Sequence, residues 1–134
     1  MTNFNPKLVA LVGSDPRYAY EAYDFVFHAI QYTQRLTGRE MPREGEAVQT
    51  RHHVRGPELL QGIRKLALAE FGMMAKTVFH MWGIRTTDDW GQIVFNLIRA
   101  ELMSKTDEDS PADFHAIYDF DEALEYRITL DEAR

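Results

Sequence analysis

The chain has 134 residues, a formal net charge of −6 and no cysteine. Its apolar and charged content is that of a single globular domain with room for a real core. The missing cysteines exclude a disulfide framework, thiolate zinc sites, iron–sulfur clusters and cysteine catalysis. No stretch approaches the roughly 20 apolar residues that span a bilayer. The first residues, Met1-Thr2-Asn3-Phe4-Asn5, lack a basic region and a long apolar run. The expectation is a cytoplasmic protein without a signal peptide.

Charge is unevenly placed. Residues 1–100 hold 12 Lys/Arg against 10 Asp/Glu, whereas residues 101–134 hold 3 against 11. A near-neutral body with an acidic end does not suit a broad phosphate-binding surface. One local basic segment, between Arg35 and Lys65, contains seven Lys/Arg besides His52 and His53.

In chain order, Asn5-Pro6 reads as an N-cap with Pro at the first helical position, predicting a short helix over 6–12 stopped by Gly13. Asp15-Pro16 repeats the signal. From there Tyr18, Ala22, Phe25, Ala29, Thr33 and Leu36 recur at helical spacing, predicting a long helix to about Thr37, ended by Gly38. Residues 38–55 form a polar loop, longer than most connections inside one domain. Gly56-Pro57 opens a helix with Leu59, Leu60, Ile63, Leu66, Ala67 and Phe71 on one face. Gly72 breaks it, and a further helix runs over 73–82 to Gly83. Thr87 is expected to cap a helix over 88–103 whose stripe is Trp90, Ile93, Val94, Leu97, Ile98 and Leu102. Asp88 and Asp89 suit its N-terminus electrostatically. After a polar turn, Ser110-Pro111-Ala112-Asp113 is a capping-box start, and Asp119-Phe120-Asp121-Glu122 repeats the pattern. A short hairpin is allowed near 103–106 or 127–130.

The expected fold is therefore all-α: a bundle of about five helices in one domain, with a polar loop at 38–55 and an acidic segment at 104–134 folded back through Phe114, Tyr118 and Phe120. A winged-helix-like arrangement is the alternative.

Several segments carry a resemblance. Asp15-Pro16-Arg17-Tyr18, His53-Val54 with Gly56, Glu58-Leu59-Leu60 and Gly62-Ile63-Arg64, Phe71-Gly72, Trp82-Gly83-Ile84, and Gly91 with Ile93-Val94-Phe95 are the core of it. Asp113-Phe114 and Tyr118-Asp119-Phe120 extend it over nearly the whole chain, the loop at 39–51 having least in common. On these the chain resembles a family of small bacterial proteins named after a genome locus, with no assigned activity. The resemblance implies a compact single-domain bacterial protein and no catalytic residue.

The motifs with chemistry are weak beside their structural readings. Residues 74–103 have the outline of a helix-turn-helix. A recognition helix needs Arg, Lys, Asn or Gln at its exposed start, where this one has Asp88, Asp89 and Gln92. Asp24 and His28 share a helix face with Glu21, yet a metal needs more converging ligands, and no His-Glu-x-x-His motif is present. Asp107-Glu108-Asp109 lacks the glycine and distal glutamate of a calcium loop. No P-loop, dinucleotide fingerprint or nucleophile elbow occurs. No cofactor or metal is expected.

These readings favour a non-catalytic protein-interaction or regulatory module with a protein partner or self-association. Tyr20, Tyr23 and Phe27 would form an aromatic patch if exposed. Arg51, His52, His53 and Arg55 would form a basic one before a helix N-terminus. The alternative is a nucleic-acid-binding regulator contacting phosphates through Arg85, Arg99 and Lys105. A weaker alternative is a small enzyme using His53 and Glu58 as acid and base, which requires a pocket holding both.

Overall fold

The computed structural model describes residues 5–38, 54–103 and 110–125. Among these the chain is helical, with no strand: α1 (Pro6–Ser14), α2 (Tyr20–Leu36), α3 (Gly56–Phe71), α4 (Ala75–Met81), α5 (Thr87–Arg99) and the single turn α6 (Phe120–Ala123). The all-α bundle is the architecture expected, and nothing winged is present among the described residues. Residues 104–106 and 127–130, where a hairpin was allowed, lie outside them.

Asn5 caps α1 as expected, its Oδ1 accepting from the Lys7 amide at 2.9 Å. The helix runs through Gly13 to Ser14 rather than stopping at Val12. The next boundary also differs. Asp15-Pro16 does not start α2, which begins at Tyr20 behind an Ala19 cap. The Asp15 carboxylate accepts from the Arg17 amide only at 3.4 Å. Its shorter bonds go to the Arg17 guanidinium and Asn96, and residues 15–19 form a connection instead of a first turn.

α2 buries Ala22, Tyr23, Phe25, Val26, Ala29, Thr33 and Gln34, and its main partner is α3. The two backbones approach closely because Gly62 carries no side chain: a Cβ there would lie 1.8 Å from Thr33 Oγ1. Gly72, at φ +52°, ends α3. A 3-10 turn over Gly72–Met74 then leads into α4. Gly83 adopts φ +89°, and a Cβ there would stand 2.1 Å from the Arg17 carbonyl oxygen. That close approach lets the Ala19 amide donate to the Trp82 carbonyl at 3.1 Å, joining the α1–α2 connection to the α4–α5 turn.

α5 is the centre of the bundle. Trp90, Ile93 and Leu97 are fully buried, together with Tyr23, Val26, Leu60, Ile63, Phe79 and Ile84. Burying one large apolar side chain of this kind contributes roughly 1.5–3 kcal/mol. The N-cap is Thr86, one residue before the expected Thr87. The helix ends at Arg99, four residues before the expected end. There the Leu102 amide donates to Leu97 O at 2.9 Å and the Glu101 amide to Ile98 O at 3.0 Å. This is a Schellman closure. Its left-handed position is filled by Glu101 at φ 60°, so no glycine marks it in the sequence.

The acidic segment folds back as expected. Ser110 caps the 3-10 turn Pro111–Phe114. Phe114 is buried where both neighbours are glycines: a Cβ on Gly91 would lie 2.7 Å from Phe114 Cβ, and one on Gly56 3.0 Å from its ring. Tyr118 donates its hydroxyl to Leu60 O at 2.7 Å, and Arg64 Nε donates to Ala123 O at 2.9 Å.

Candidate functional site

Two places on this scaffold concentrate side chains beyond the ordinary core: a polar clamp between α1, the 15–19 connection and α5, and an apolar stripe on the outside of α4.

The clamp is built on Asn96, which is buried. Its amide nitrogen donates to Asp15 Oδ2 at 2.9 Å and to the Tyr23 hydroxyl at 3.1 Å. Its carbonyl oxygen accepts from Gln92 Nε2 at 2.9 Å and from the Arg99 guanidinium. The side chain therefore makes all four bonds open to it. Arg17 closes a two-bonded pair on Asp15, at 2.7 and 2.6 Å. That bonding holds the Asp15 carboxyl well below the ordinary carboxylate range, against burial that pushes it up, and Asn96 lowers it further. Nearby, the Tyr18 hydroxyl donates to Asp89 at 2.7 Å. Burial, then this bond, raises the Tyr18 phenol well above its usual value. The other Asp89 oxygen accepts from the Arg85 and Thr86 amides at 2.8 and 3.2 Å, fixing the start of α5.

A cleft of about 500 Å³ opens over the clamp, lined by Leu11, Ser14, Asp15, Arg17, Asn96, Arg99 and Ala100. Its electrostatics are balanced. Arg17 and Arg99 face Asp15 and the C-terminal ends of α1 and α5, each of which carries partial negative charge. The arrangement locks sequence-remote segments together, and its polar groups are engaged in doing so.

The α4 stripe is the opposite case. Ala75 and Phe79 point inward and are fully buried. The other face, at spacing i, i+3 and i+7, is Met74, Thr77 and Met81, with Val78 on its shoulder. Met74 is 55% exposed, Met81 77%, and the adjoining Met73 73%. Next to them in the chain, Phe71 and Trp82 are half-buried. Their rings meet edge-on at 5.7 Å, and Trp82 continues inward to Phe25 at 5.4 Å and Phe79 at 6.0 Å. A surface helix ordinarily carries charge on its outer face; here Lys76 is paired with Asp121 and His80 is exposed, and Met74 and Met81 lie exposed beside them.

The sequence-based candidates fall as follows. Tyr23 is 0% exposed, so it belongs to the core and the clamp and not to a surface patch. Its place on the inward stripe of α2 and its bond from Asn96 explain this. Tyr20 is half-buried, its hydroxyl accepting from the Asn5 amide at 2.9 Å, and Phe27 is half-buried. Arg51, His52, His53 and Lys105 lie outside the described residues. Arg55 is exposed as the N-cap of α3. Glu58 reaches back to the Arg55 amide at 3.3 Å, a helix-capping role. Arg85 and Arg99 are exposed but stand at opposite ends of α5, about 20 Å apart along its axis at the usual rise. Asp88 is paired with His115 at 3.0 Å, which lowers its carboxyl from the ordinary value. Beside it, Thr87 Oγ1 donates to Phe114 O at 2.6 Å and accepts from the Ile117 amide at 3.1 Å. The start of α5 is thus occupied by the chain's own acidic segment. Along α5 only Asp88 and Arg99 are exposed.

Asp24 and His28 form an exposed pair at 3.8 Å. No group of three potential metal ligands converges among the described residues. No helix there is long and apolar enough to cross a membrane. Sequence reasoning did not single out Met73, Met74, Met81, Asp15 or Asn96 as site residues. The methionines carried one usable signal: Met74 and Met81 are seven residues apart around inward Ala75 and Phe79. Comparison with known proteins returned no matching family model, no matching curated protein and no matching solved structure.

Proposed function

We propose that this chain is a non-catalytic protein-interaction module, working in the cytoplasm, which docks an apolar segment of a partner protein on the Met73, Met74 and Met81 stripe. The observation that carries the reading is the exposure of those three thioethers within nine residues of chain, Met74 and Met81 at helical spacing. Contiguous exposed apolar surface marks binding sites more often than chance, and methionine is the side chain that adapts to varied partners. Three side chains on a 3-10 turn and the seven-residue helix after it fall short of the ~800 Å² per partner that a stable interface buries. The contact is accordingly transient, with a short segment, rather than a permanent self-association. The resemblance to a small bacterial family belongs to this reading and adds no activity to it.

The nucleic-acid alternative is the weaker one. Inserting α5 into a groove would bring Asp88 against phosphate, and the Phe114–Ile117 segment already packs across that end.

The test is a photo-crosslinking amino acid at Thr77, an exposed position between Met74 and Met81, and at exposed Gln31 on α2 as control, in native cells with and without nuclease. A discrete protein adduct at Thr77, absent at Gln31 and unchanged by nuclease, supports the module. Equal adducts at both positions, or an adduct lost with nuclease, overturns it.

A further inference from the structure

We propose that Met73, Met74 and Met81 form an oxidation site, at which a peroxide converts the stripe from apolar to polar and so closes it to its partner. The inference rests on the interaction reading for its consequence, but the site itself stands on exposure and chemistry alone. With no cysteine in the chain, no thiol of this protein takes the oxidant first, and methionine is the next side chain on the sulfur oxidation ladder. Of the four methionines among the described residues, these three are exposed, whereas Met103 is half-buried against the core; Met1 and Met41 lie outside them.

The step is a two-electron oxygen transfer. A sulfur lone pair attacks one peroxide oxygen and the O–O bond breaks. The attacked oxygen stays on sulfur as the sulfoxide and passes its proton to the departing hydroxide, which leaves as water. Sulfur is oxidised by two electrons and the peroxide reduced by two. The product is polar and chiral where an apolar thioether had been.

The fold tolerates this change. α4 is held by Ala75 and Phe79, both fully buried, and by Lys76 pairing with Asp121. None of these is a methionine. Oxidation therefore alters the outer face while leaving the element in place. That distinguishes this site from a buried methionine, whose oxidation would unfold its surroundings.

The experiment treats the full chain with dilute hydrogen peroxide and follows each methionine by peptide mass mapping. Retention on a hydrophobic-interaction column and far-ultraviolet circular dichroism are read at each time point. Among Met73, Met74, Met81 and Met103, the expected order is sulfoxide at Met81 and Met73 first, then Met74, and at Met103 at least several-fold more slowly. Column retention falls in step while the helical signal holds. The variant Met73→Leu with Met74→Leu and Met81→Leu keeps its retention under peroxide. Oxidation of Met103 as fast as Met81, or loss of helical signal along with retention, overturns the site. The Thr77 photo-adduct is then measured before and after oxidation. Its loss in the natural chain and persistence in the leucine variant support closure, and an adduct insensitive to sulfoxide overturns closure. Absence of any adduct from the unoxidised chain is the distinct failure of the interaction reading. It removes closure with it, while the oxidation order is judged on the mapping.

Discussion

The clamp around Asn96 and the stripe on α4 are both unusual surfaces, and they differ in what their side chains still have to offer. At the clamp, Asn96 makes four hydrogen bonds to Asp15, Tyr23, Gln92 and Arg99, and Asp15 is held by Arg17 as well. Two of these bonds, from Asn96 to Asp15 and to Tyr23, join distant parts of the chain, and the local bonds from Gln92, Arg99 and Arg17 hold Asn96 and Asp15 in place for them. Along α4 and the turn before it the reverse holds: Met73, Met74 and Met81 project away from a core that Ala75 and Phe79 already complete. A cleft lined by charged residues is the intuitive binding site, but in this protein its chemistry is engaged in holding the fold. The most exposed large apolar side chains among the described residues are instead Met81 and Met73, at the end of α4 and just before its start.

The comparison breaks first at Asn96. Replacing Asn96 by Leu strips hydrogen bonds from buried Tyr23 and from Asp15 at once, and groups left unsatisfied cost about 1–3 kcal/mol each. The expected loss is about 3 kcal/mol or more, read as a lower urea midpoint at unchanged slope. A change below ~1 kcal/mol would mean that the clamp is an exposed decoration.

A smaller effect, with a defined pH signature, is expected at Asp15. Its folded carboxyl titrates below the ordinary range because Arg17 bonds it. A depressed folded value means stabilisation that is complete above the unfolded carboxylate value of about 3.9 and is lost as the pH falls below it. Asp15→Asn should lower stability at neutral pH by roughly 1–3 kcal/mol, the scale of a hydrogen bond to a charged group. It should also flatten the acid limb of the stability–pH curve. An acid limb identical to that of the natural chain would remove Asp15 from the clamp. Asp88, held down by His115, acts in the same direction. That pair is half-exposed or more, so its share should fade with salt.

How far the sequence could be read follows the same division. Apolar periodicity located the inward residues of α3 and α5, such as Leu60, Ile63, Trp90 and Leu97, because the core is what periodicity reports. Capping signals at Asn5, Ser110 and Asp119 led to helical turns where the cap's side chain was free to bond its own backbone. The same signal at Asp15 misled: the carboxylate does accept from the Arg17 amide, but only at 3.4 Å. Its shorter bonds go to the Arg17 guanidinium and to Asn96, 81 positions away, and no local pattern shows a partner so distant. Tyr23 looked like part of an aromatic surface because α2 is aromatic on several sides; only the packing of α5 against it shows which side is inside. The stripe was legible as a helix but not as a site, since methionine at helical spacing reads equally as core until the neighbouring elements are placed.

The end of α5 should respond in the stabilising direction. Glu101 holds a left-handed conformation that costs an L-residue about 1–2 kcal/mol, while glycine adds back roughly 0.5–1 kcal/mol of chain entropy. Glu101→Gly is therefore expected to gain about 0.5 kcal/mol, a rise in Tm of about 2 °C. A fall in Tm would show that the exposed Glu101 side chain contributes more than its backbone strain removes.

The smallest expected effect on stability is at the stripe, and its smallness is what separates the two regions. Met73→Gln, Met74→Gln and Met81→Gln combined should shift stability by no more than about 0.5 kcal/mol per site, the range of surface substitutions away from special features. The same variant should lose the hydrophobic retention of the natural chain. If the three methionines were part of the core, the polar amides would be buried at a cost of 1–3 kcal/mol each by the scale for unsatisfied groups, and the variant would unfold several kcal/mol sooner. A urea titration of this variant beside Asn96→Leu therefore sorts the molecule directly. One substitution at the clamp should cost more than three at the stripe, because the clamp residues hold the fold and the methionines face outward from it.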